Sequence, residues 1–421
     1  MKRLMYIAIG LCIIGCSLSS SVSSDDYSYL YNRETIINPE FKIYHTNSDT
    51  TEIVFKIKSA DLIYSRANQD SPYQSRFKIH YRVYEELNSK IIIDSSTLQI
   101  VDINPSKKHK LIFGKIKFPF ASGQKSILRI TTTDQQRNQE HKTLQVVDKG
   151  TLSSAQNFLV IEEGQKLTRP YIVSSDSIQI HSFRNRNQSC LLQWFNRDFG
   201  VAKPPFAVGG KKPFDYEPDD YYKVQFNEQG IAQVQLPEVG FVFLQRDTAD
   251  KKGLTLYRFD RNYPQVYNAN GLAEPLRFIC SNSEYDRLLQ SDNQKLAVEQ
   301  YWIEKCKSKE RAREIIKEYY NRVNDANTYF TSYIEGWKTD RGMVSIIYGK
   351  PANIEKRSDY ESWSYGHGPE YQAPSLIFTF YKKDNPFSQN DYRLKRDFTY
   401  KQGWYRALET WRAGRIYKAG I

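Results

Sequence analysis

Apolar residues recur at every second position through the first third of this chain. Ile53, Phe55 and Ile57 show it, as do Phe77, Ile79, Tyr81 and Val83 with Lys78, His80 and Arg82 between them. Successive strand side chains point to opposite faces, so this period means strands with one face buried. Further runs at 90–93, 111–118, 127–132 and 144–147 are separated by turn-rich segments such as Asn104-Pro105-Ser106 and Ala121-Ser122-Gly123. Short strands at this spacing predict an antiparallel β-sandwich over residues 29–148.

Asp148-Lys149-Gly150-Thr151 reads as a linker into a second β-rich domain, expected over 151–280 with runs at 158–161, 177–183, 190–195, 222–226, 232–236, 241–244 and 254–259. A loop rich in Pro, Gly and Lys runs from Gly200 to Asp220 and contains Pro204-Pro205-Phe206 and Pro213-Phe214-Asp215-Tyr216. Loops this long are uncommon unless functional or disordered. Phe206, Phe214, Tyr216, Tyr221 and Tyr222 are therefore a candidate binding surface. The alternative is that Phe206 and Phe214 fold back onto the sheet.

From Ser281-Asn282-Ser283-Glu284, a capping sequence with Asn282 or Ser283 as the cap, the period changes. Ala312, Ile315, Ile316, Tyr319, Val323, Ala326 and Phe330 recur at steps of three and four, placing them on one helix face. The apolar run 343–348 is expected to be a strand, with further strands at 361–365 and 376–381. An aromatic and basic tail runs from Gly403-Trp404-Tyr405 to Trp411-Arg412. The expected class is mostly β with a C-terminal α/β domain over 281–421.

Between that helix and the apolar run lies Gly336-Trp337-Lys338-Thr339-Asp340-Arg341-Gly342, followed by Ile346-Ile347-Tyr348-Gly349-Lys350-Pro351 and Tyr360-Glu361-Ser362-Trp363-Ser364-Tyr365. With Glu318-Tyr319-Tyr320-Asn321-Arg322-Val323 and Ala326-Asn327 upstream, the stretch from about 285 to 400 resembles the GWxTD family, envelope proteins found mainly in Bacteroidota. Ala352 and Asn353 after Pro351 depart from its usual Pro-Asp. The resemblance implies no enzymatic activity and no cofactor. Residue by residue, the string reads as a helix-to-strand corner. Gly336 ends the helix in a left-handed conformation, and Trp337 anchors the turn in the core. Lys338 points to solvent, Thr339 and Asp340 bond nearby backbone N–H groups, and Gly342 reverses the chain into the strand. The functional alternative is a polar site of Asp340 and Arg341 with Tyr348 or Trp363 as a ligand platform.

At the N-terminus, Lys2 and Arg3 precede an apolar stretch from Leu4 to Ile14, too short to span a membrane. It ends in Ile13-Ile14-Gly15-Cys16, which resembles the lipobox of bacterial lipoproteins. The resemblance implies a signal peptide over 1–15, acylation of Cys16 and a tether over 16–28. An ordinary secretory signal or an uncleaved anchor is the alternative. No Asp follows Cys16 directly, and Asp25 and Asp26 come late, so the periplasmic face of an outer membrane is expected rather than the cell surface.

The formal net charge is +12. Basic and acidic residues are interspersed and no nucleic-acid-binding pattern accompanies them. The excess charge suits anionic lipid head groups, a glycan such as lipopolysaccharide or an acidic partner, an envelope protein among them, rather than nucleic acid; a merely soluble surface is the alternative. Cys190, Cys280 and Cys306 remain after processing; they allow one disulfide and match no zinc spacing. The six histidines are scattered, and no HExxH, GxSxG, phosphate-loop or dinucleotide pattern occurs. These readings converge on a non-catalytic, membrane-anchored binding or scaffold subunit without metal or cofactor. A glycan- or peptidoglycan-binding lipoprotein using the exposed tyrosines is the first alternative, and a hydrolase with an unrecognised carboxylate site the second.

Overall fold

The computed structural model describes residues 27–31, 37–104, 108–173, 176–207, 209, 214–366 and 376–418. The expected signal peptide, Cys16 and the tether up to residue 26 lie outside them, as does Pro213 of the long loop. Over the described residues the chain is mostly β, with helices concentrated at the C-terminal end.

The first sandwich contains β1 (Glu40–His45), β2 (Thr50–Lys58), β3 (Gln74–Tyr84), β4 (Ile92–Ile103), β5 (Leu111–Pro119), β6 (Lys125–Asp134) and β7 (Gln139–Asp148). They form antiparallel sheets in the orders β1-β2-β5 and β4-β3-β6-β7. Between the sheets, Ile53, Phe55 and Ile57 meet Phe77, Ile79, Tyr81 and Val83, as their alternation requires. The run expected at 90–93 begins a strand of 12 residues. Its middle, Ser95-Ser96-Thr97, carries no apolar signal because β4 is an edge strand exposed along most of its length.

The second sandwich contains β8 (Leu159–Glu162), β9 (Gln165–Lys166), β10 (Tyr171–Ile172), β11 (Ser177–His181), β12 (Ser189–Phe195), β13 (Asp220–Gln225), β14 (Ile231–Gln235), β15 (Phe241–Gln245) and β16 (Leu254–Arg258). Its sheets run β10-β16-β15-β12-β13 and β14-β11-β8-β9, enclosing Phe158, Ile178, Ile180, Cys190, Leu192 and Val224.

The C-terminal unit contains α1 (Ala269–Ala273), α2 (Asn282–Leu289), α3 (Gln294–Cys306), α4 (Lys309–Phe330), α5 (Asp340–Tyr348), β17 (Asn353–Lys356), β18 (Tyr360–Tyr365), β19 (Leu376–Lys382), β20 (Tyr392–Leu394) and α6 (Tyr400–Arg412). The strands form one antiparallel sheet in chain order. The cap of α2 is Ser281, not Asn282 or Ser283; its hydroxyl accepts from Glu284 N and the Glu284 carboxylate accepts from Ser281 N at 2.8 Å. The core of this unit takes in Ala273, Leu276, Ile279 and Cys280, upstream of the boundary expected at 281.

Two features tie the units together. Phe195, Phe241, Phe243 and Tyr257 of the second sandwich pack with Tyr333, Ile334 and Phe387 of the C-terminal unit in one buried aromatic cluster. The Tyr257 hydroxyl crosses this interface to donate to Phe387 O at 2.6 Å. Tyr27, expected in the tether, is buried in the C-terminal core and donates its N–H to Ile354 O at 2.8 Å.

Candidate functional site

The signature segment closes a corner between two helices. Residues 343–348 lie in α5 rather than in a strand. The helix is buried nearly all round, so its apolar residues run together without a helical gap, and such a run cannot be told from a buried strand by period alone. Gly336 is not the left-handed end of α4. It sits in a short 3₁₀ turn, Gly336–Lys338, and α4 ends earlier, capped by Thr331. Glycine is needed there for close approach: a Cβ on Gly336 would lie 1.9 Å from Ala326 O. Gly342 likewise makes no reversal; it lies in the first turn of α5, where a Cβ would meet Gly336 O at 2.0 Å.

The remaining signature residues fix this corner. Trp337 is buried against Phe278, and its N–H donates to Asn327 Oδ1 at 3.0 Å. Asn327 is itself buried and donates from Nδ2 to Pro264 O at 3.0 Å. Thr339 caps α5: its hydroxyl donates to Gly336 O at 2.7 Å and accepts from Gly342 N at 3.0 Å. Lys338 does not reach freely into solvent; its ammonium lies between Glu335 at 3.1 Å and Glu274 at 3.9 Å.

Asp340 and Arg341 are both buried, and each pairs within the chain. Asp340 Oδ2 accepts from Leu394 N at 2.9 Å and from Arg396 Nη1 at 3.1 Å, while Oδ1 accepts from Arg396 Nη2 at 2.6 Å. This two-pronged pair locks the start of α5 to the end of the sheet. The Arg341 guanidinium lies 4.1 Å over the Tyr392 ring and donates to Glu361 Oε2 at 3.2 Å, to Tyr31 Oη at 3.2 Å and to Asn390 O at 3.0 Å.

Glu361, on β18, is the centre of this cluster. It is fully buried and accepts from Arg341, Lys356, the Tyr31 hydroxyl at 2.9 Å and Trp363 Nε1 at 3.3 Å. Burial alone would raise its pKa, but Lys356 and Arg341 outweigh that and hold it down at about 2. Against the effect of burial, Tyr31 and then the same carboxylate raise the pKa of Lys356. Tyr31 is pushed up by burial and then by Glu361. Every group here is fixed in the protonation state that suits its partners. The Asp340–Arg341 pair therefore does not open as a site with Tyr348 or Trp363 as a platform; both rings are buried in the same core. Tyr31 and Glu361 carry no sequence mark of this role beyond the aromatic density of Tyr27-Ser28-Tyr29-Leu30-Tyr31 and the unusual Glu among strand aromatics.

The long-loop candidates divide. Phe214 turns inward, its ring 5.2 Å from Phe387 and 5.8 Å from Tyr333, at the aromatic interface. Phe206 packs on Tyr405 of α6 at 5.5 Å. Tyr216, Tyr221 and Tyr222 are exposed. Cys190, Cys280 and Cys306 are free, buried thiols, and burial pushes Cys190 and Cys280 up to about 11. Among the described residues, no group of three or more His, Cys, Asp or Glu is placed to hold a metal ion, and no helix is long and apolar enough to cross a membrane.

No curated protein matches the chain. The model of the GWxTD domain matches residues 240–413. That span opens on β15 and β16, which supply Phe241, Phe243 and Tyr257 to the aromatic interface, and closes at the end of α6. It carries the signature, the capped α5 and, apart from Tyr31, the buried Glu361 cluster on one continuous segment, and the chain carries a GWxTD domain over those residues.

Proposed function

We propose that this protein is a non-catalytic lipoprotein, anchored through Cys16 in the outer membrane with its domains on the periplasmic side, where it serves as a binding or scaffold subunit of an envelope complex. The observation that carries this reading is the fate of the signature's ionisable groups. Buried Asp340 is engaged with Arg396, and buried Arg341 with buried Glu361, so the pair at the heart of the signature offers no free acid or base to a substrate. Two tandem β-sandwiches, one fused to the C-terminal domain through an aromatic interface, suit a rigid spacer that presents surfaces to partners. The lipobox-like Ile13-Ile14-Gly15-Cys16 supplies the anchor in this reading, since multiple acyl chains hold a membrane far more firmly than one.

Labelling cells with radioactive palmitate tests the anchor. The wild-type chain should take up label, and a Cys16→Ser chain should not. An unlabelled wild-type chain, or label retained by Cys16→Ser, would remove the basis for the reading.

A second reading, glycan or peptidoglycan binding, draws on the exposed Tyr221 and Tyr222 of the edge strand β13 and Tyr216 in the loop before it. Retention on purified sacculi that is lost on Tyr→Ala replacement at these positions would favour it over the scaffold.

A further inference from the structure

The β3–β4 hairpin of the first sandwich and the outer face of the same sheet carry a surface that the core does not explain. In β3, Phe77, Ile79, Tyr81 and Val83 face the core, so Arg76, Lys78, His80 and Arg82 face outward. The four positions span about 20 Å at the usual strand rise. Their cross-strand neighbours on β4 are Val101, Gln99, Thr97 and Ser95, none of them acidic. On β6, Lys78, His80 and Arg82 sit opposite Thr133, Thr131 and Arg129. Among the described residues of these outward rows, the carboxylate is Glu140 on β7, which pairs with Lys142 at 3.3 Å. Arg82 donates from Nε to His80 Nε2 at 2.9 Å, and the other ring nitrogen bonds Thr97 Oγ1 at 2.8 Å, which holds the arginine in line with the row.

The Arg82 end of this row leads through the hairpin turn to Lys90-Ile91 and to Ile92-Ile93 at the start of β4. The three isoleucines are 62, 46 and 48% exposed, consecutive apolar side chains with no core beneath them. Glu85 and Glu86 at the turn offset part of the charge, but Arg76, Lys78, Arg82 and Lys90 leave the surface net positive, with Arg129 part-buried over the Tyr84 ring beside them. The N-terminal segment attaches at this same end, where the Tyr27 hydroxyl donates to Asn88 Oδ1 in the hairpin turn. Eleven residue steps separate Tyr27 from Cys16, a reach of at most about 40 Å. An acyl group on Cys16 would therefore keep this hairpin close to the bilayer.

Cations flanking exposed aliphatic side chains are the composition that binds the interface of an anionic bilayer, aliphatic groups entering the headgroup boundary and cations meeting lipid phosphates. We propose that the β3–β4 hairpin is a second membrane contact, with Ile91, Ile92 and Ile93 entering the headgroup region and the Arg76–Lys78–Arg82 row lying over anionic phospholipid. The orientation builds on the lipid-anchor reading above, but the surface itself is testable without the acyl group.

The test uses the processed chain from Ser17 onward, which lacks both the apolar Leu4–Ile14 stretch and the acyl group, mixed with vesicles of phosphatidylcholine alone or of phosphatidylcholine with phosphatidylglycerol, and read by flotation. The unacylated chain should float with the anionic vesicles only, and added salt should weaken it. Replacing Arg76, Lys78 and Arg82 together by Gln should lower binding about five-fold per cation, or roughly a hundred-fold in all. Ile91→Ser with Ile93→Ser should lower it about ten-fold. Both variants alter exposed side chains and should keep the wild-type melting temperature. Equal binding to both vesicle types, no flotation, or unchanged binding by either variant would overturn the proposal. A dimer that dissociates on the Ile→Ser changes, with no flotation, would overturn it too, by assigning the hairpin to a contact between copies. Palmitate labelling of the wild-type chain without flotation of the chain from Ser17 onward removes this contact and leaves the anchor standing.

Discussion

Replacing Glu361 by Gln removes the carboxylate shared by Arg341 and Lys356 and leaves two cations buried beside a neutral amide. In the native cluster that carboxylate accepts four side-chain hydrogen bonds, three of them from Arg341, Tyr31 and Trp363 at 2.9–3.3 Å. Breaking a buried pair by removing one partner costs about 3–5 kcal/mol, because the remaining charge is left uncompensated. Here two charges are left, so the upper end of that range is expected. Urea unfolding followed by tryptophan fluorescence is the assay, since five of the six tryptophans (Trp302, Trp337, Trp363, Trp404 and Trp411) lie in the C-terminal unit. Adding Arg341→Met should recover part of the loss by removing one stranded cation. The pH dependence follows from the same carboxylate. Its folded-state pKa, about 2, is below the ordinary glutamate value of 4.5, so its contribution is fully present above about pH 4.5 and is lost as pH falls toward 2. That acid-side loss should be absent from Glu361→Gln. A Glu361→Gln destabilisation below about 1 kcal/mol, the level of an exposed pair, would refute the reasoning.

Gly336→Ala places a methyl group 1.9 Å from Ala326 O, and the forced separation of the turn from α4 should cost about 2–3 kcal/mol, measured by the same urea midpoint. Tyr31→Phe removes a hydroxyl that donates to a buried carboxylate; it should destabilise the C-terminal unit by about 2 kcal/mol although it lies some three hundred residues away in sequence, and an unchanged midpoint would refute the link. Phe387→Ala opens the aromatic interface to the second sandwich; it should cost about 3–5 kcal/mol, and calorimetry should resolve the two units into separate transitions.

Where a residue's environment is set by its near neighbours, the sequence was informative. The alternation at Phe77–Val83 placed β3 and its buried face, and the three- and four-residue steps from Ala312 to Phe330 placed α4 with its core side. The signature was legible as a corner, and Trp337 as its anchor. It was misread as leading to a strand because α5 is buried on nearly every side, which erases the polar positions that mark a helix. Distant partners were not legible. Nothing local indicates that Asp340 meets Arg396, that Glu361 binds Tyr31, or that Phe214 joins Phe387, because these contacts join segments that the chain separates widely. The tether was extended through residue 28 because serine-rich sequence precedes it, whereas Tyr27 carries enough apolar surface to be drawn into the C-terminal core. The outward cations of β3 were visible in the alternation, but their lack of facing carboxylates depended on strand register.

Extraction of the protein from membranes of its own host in a mild detergent, followed by native mass measurement, tests the scaffold reading most directly. The expected result is a stoichiometric complex with at least one other envelope protein. Recovery as a free monomer, with no partner at any detergent concentration that solubilises it, would contradict that reading.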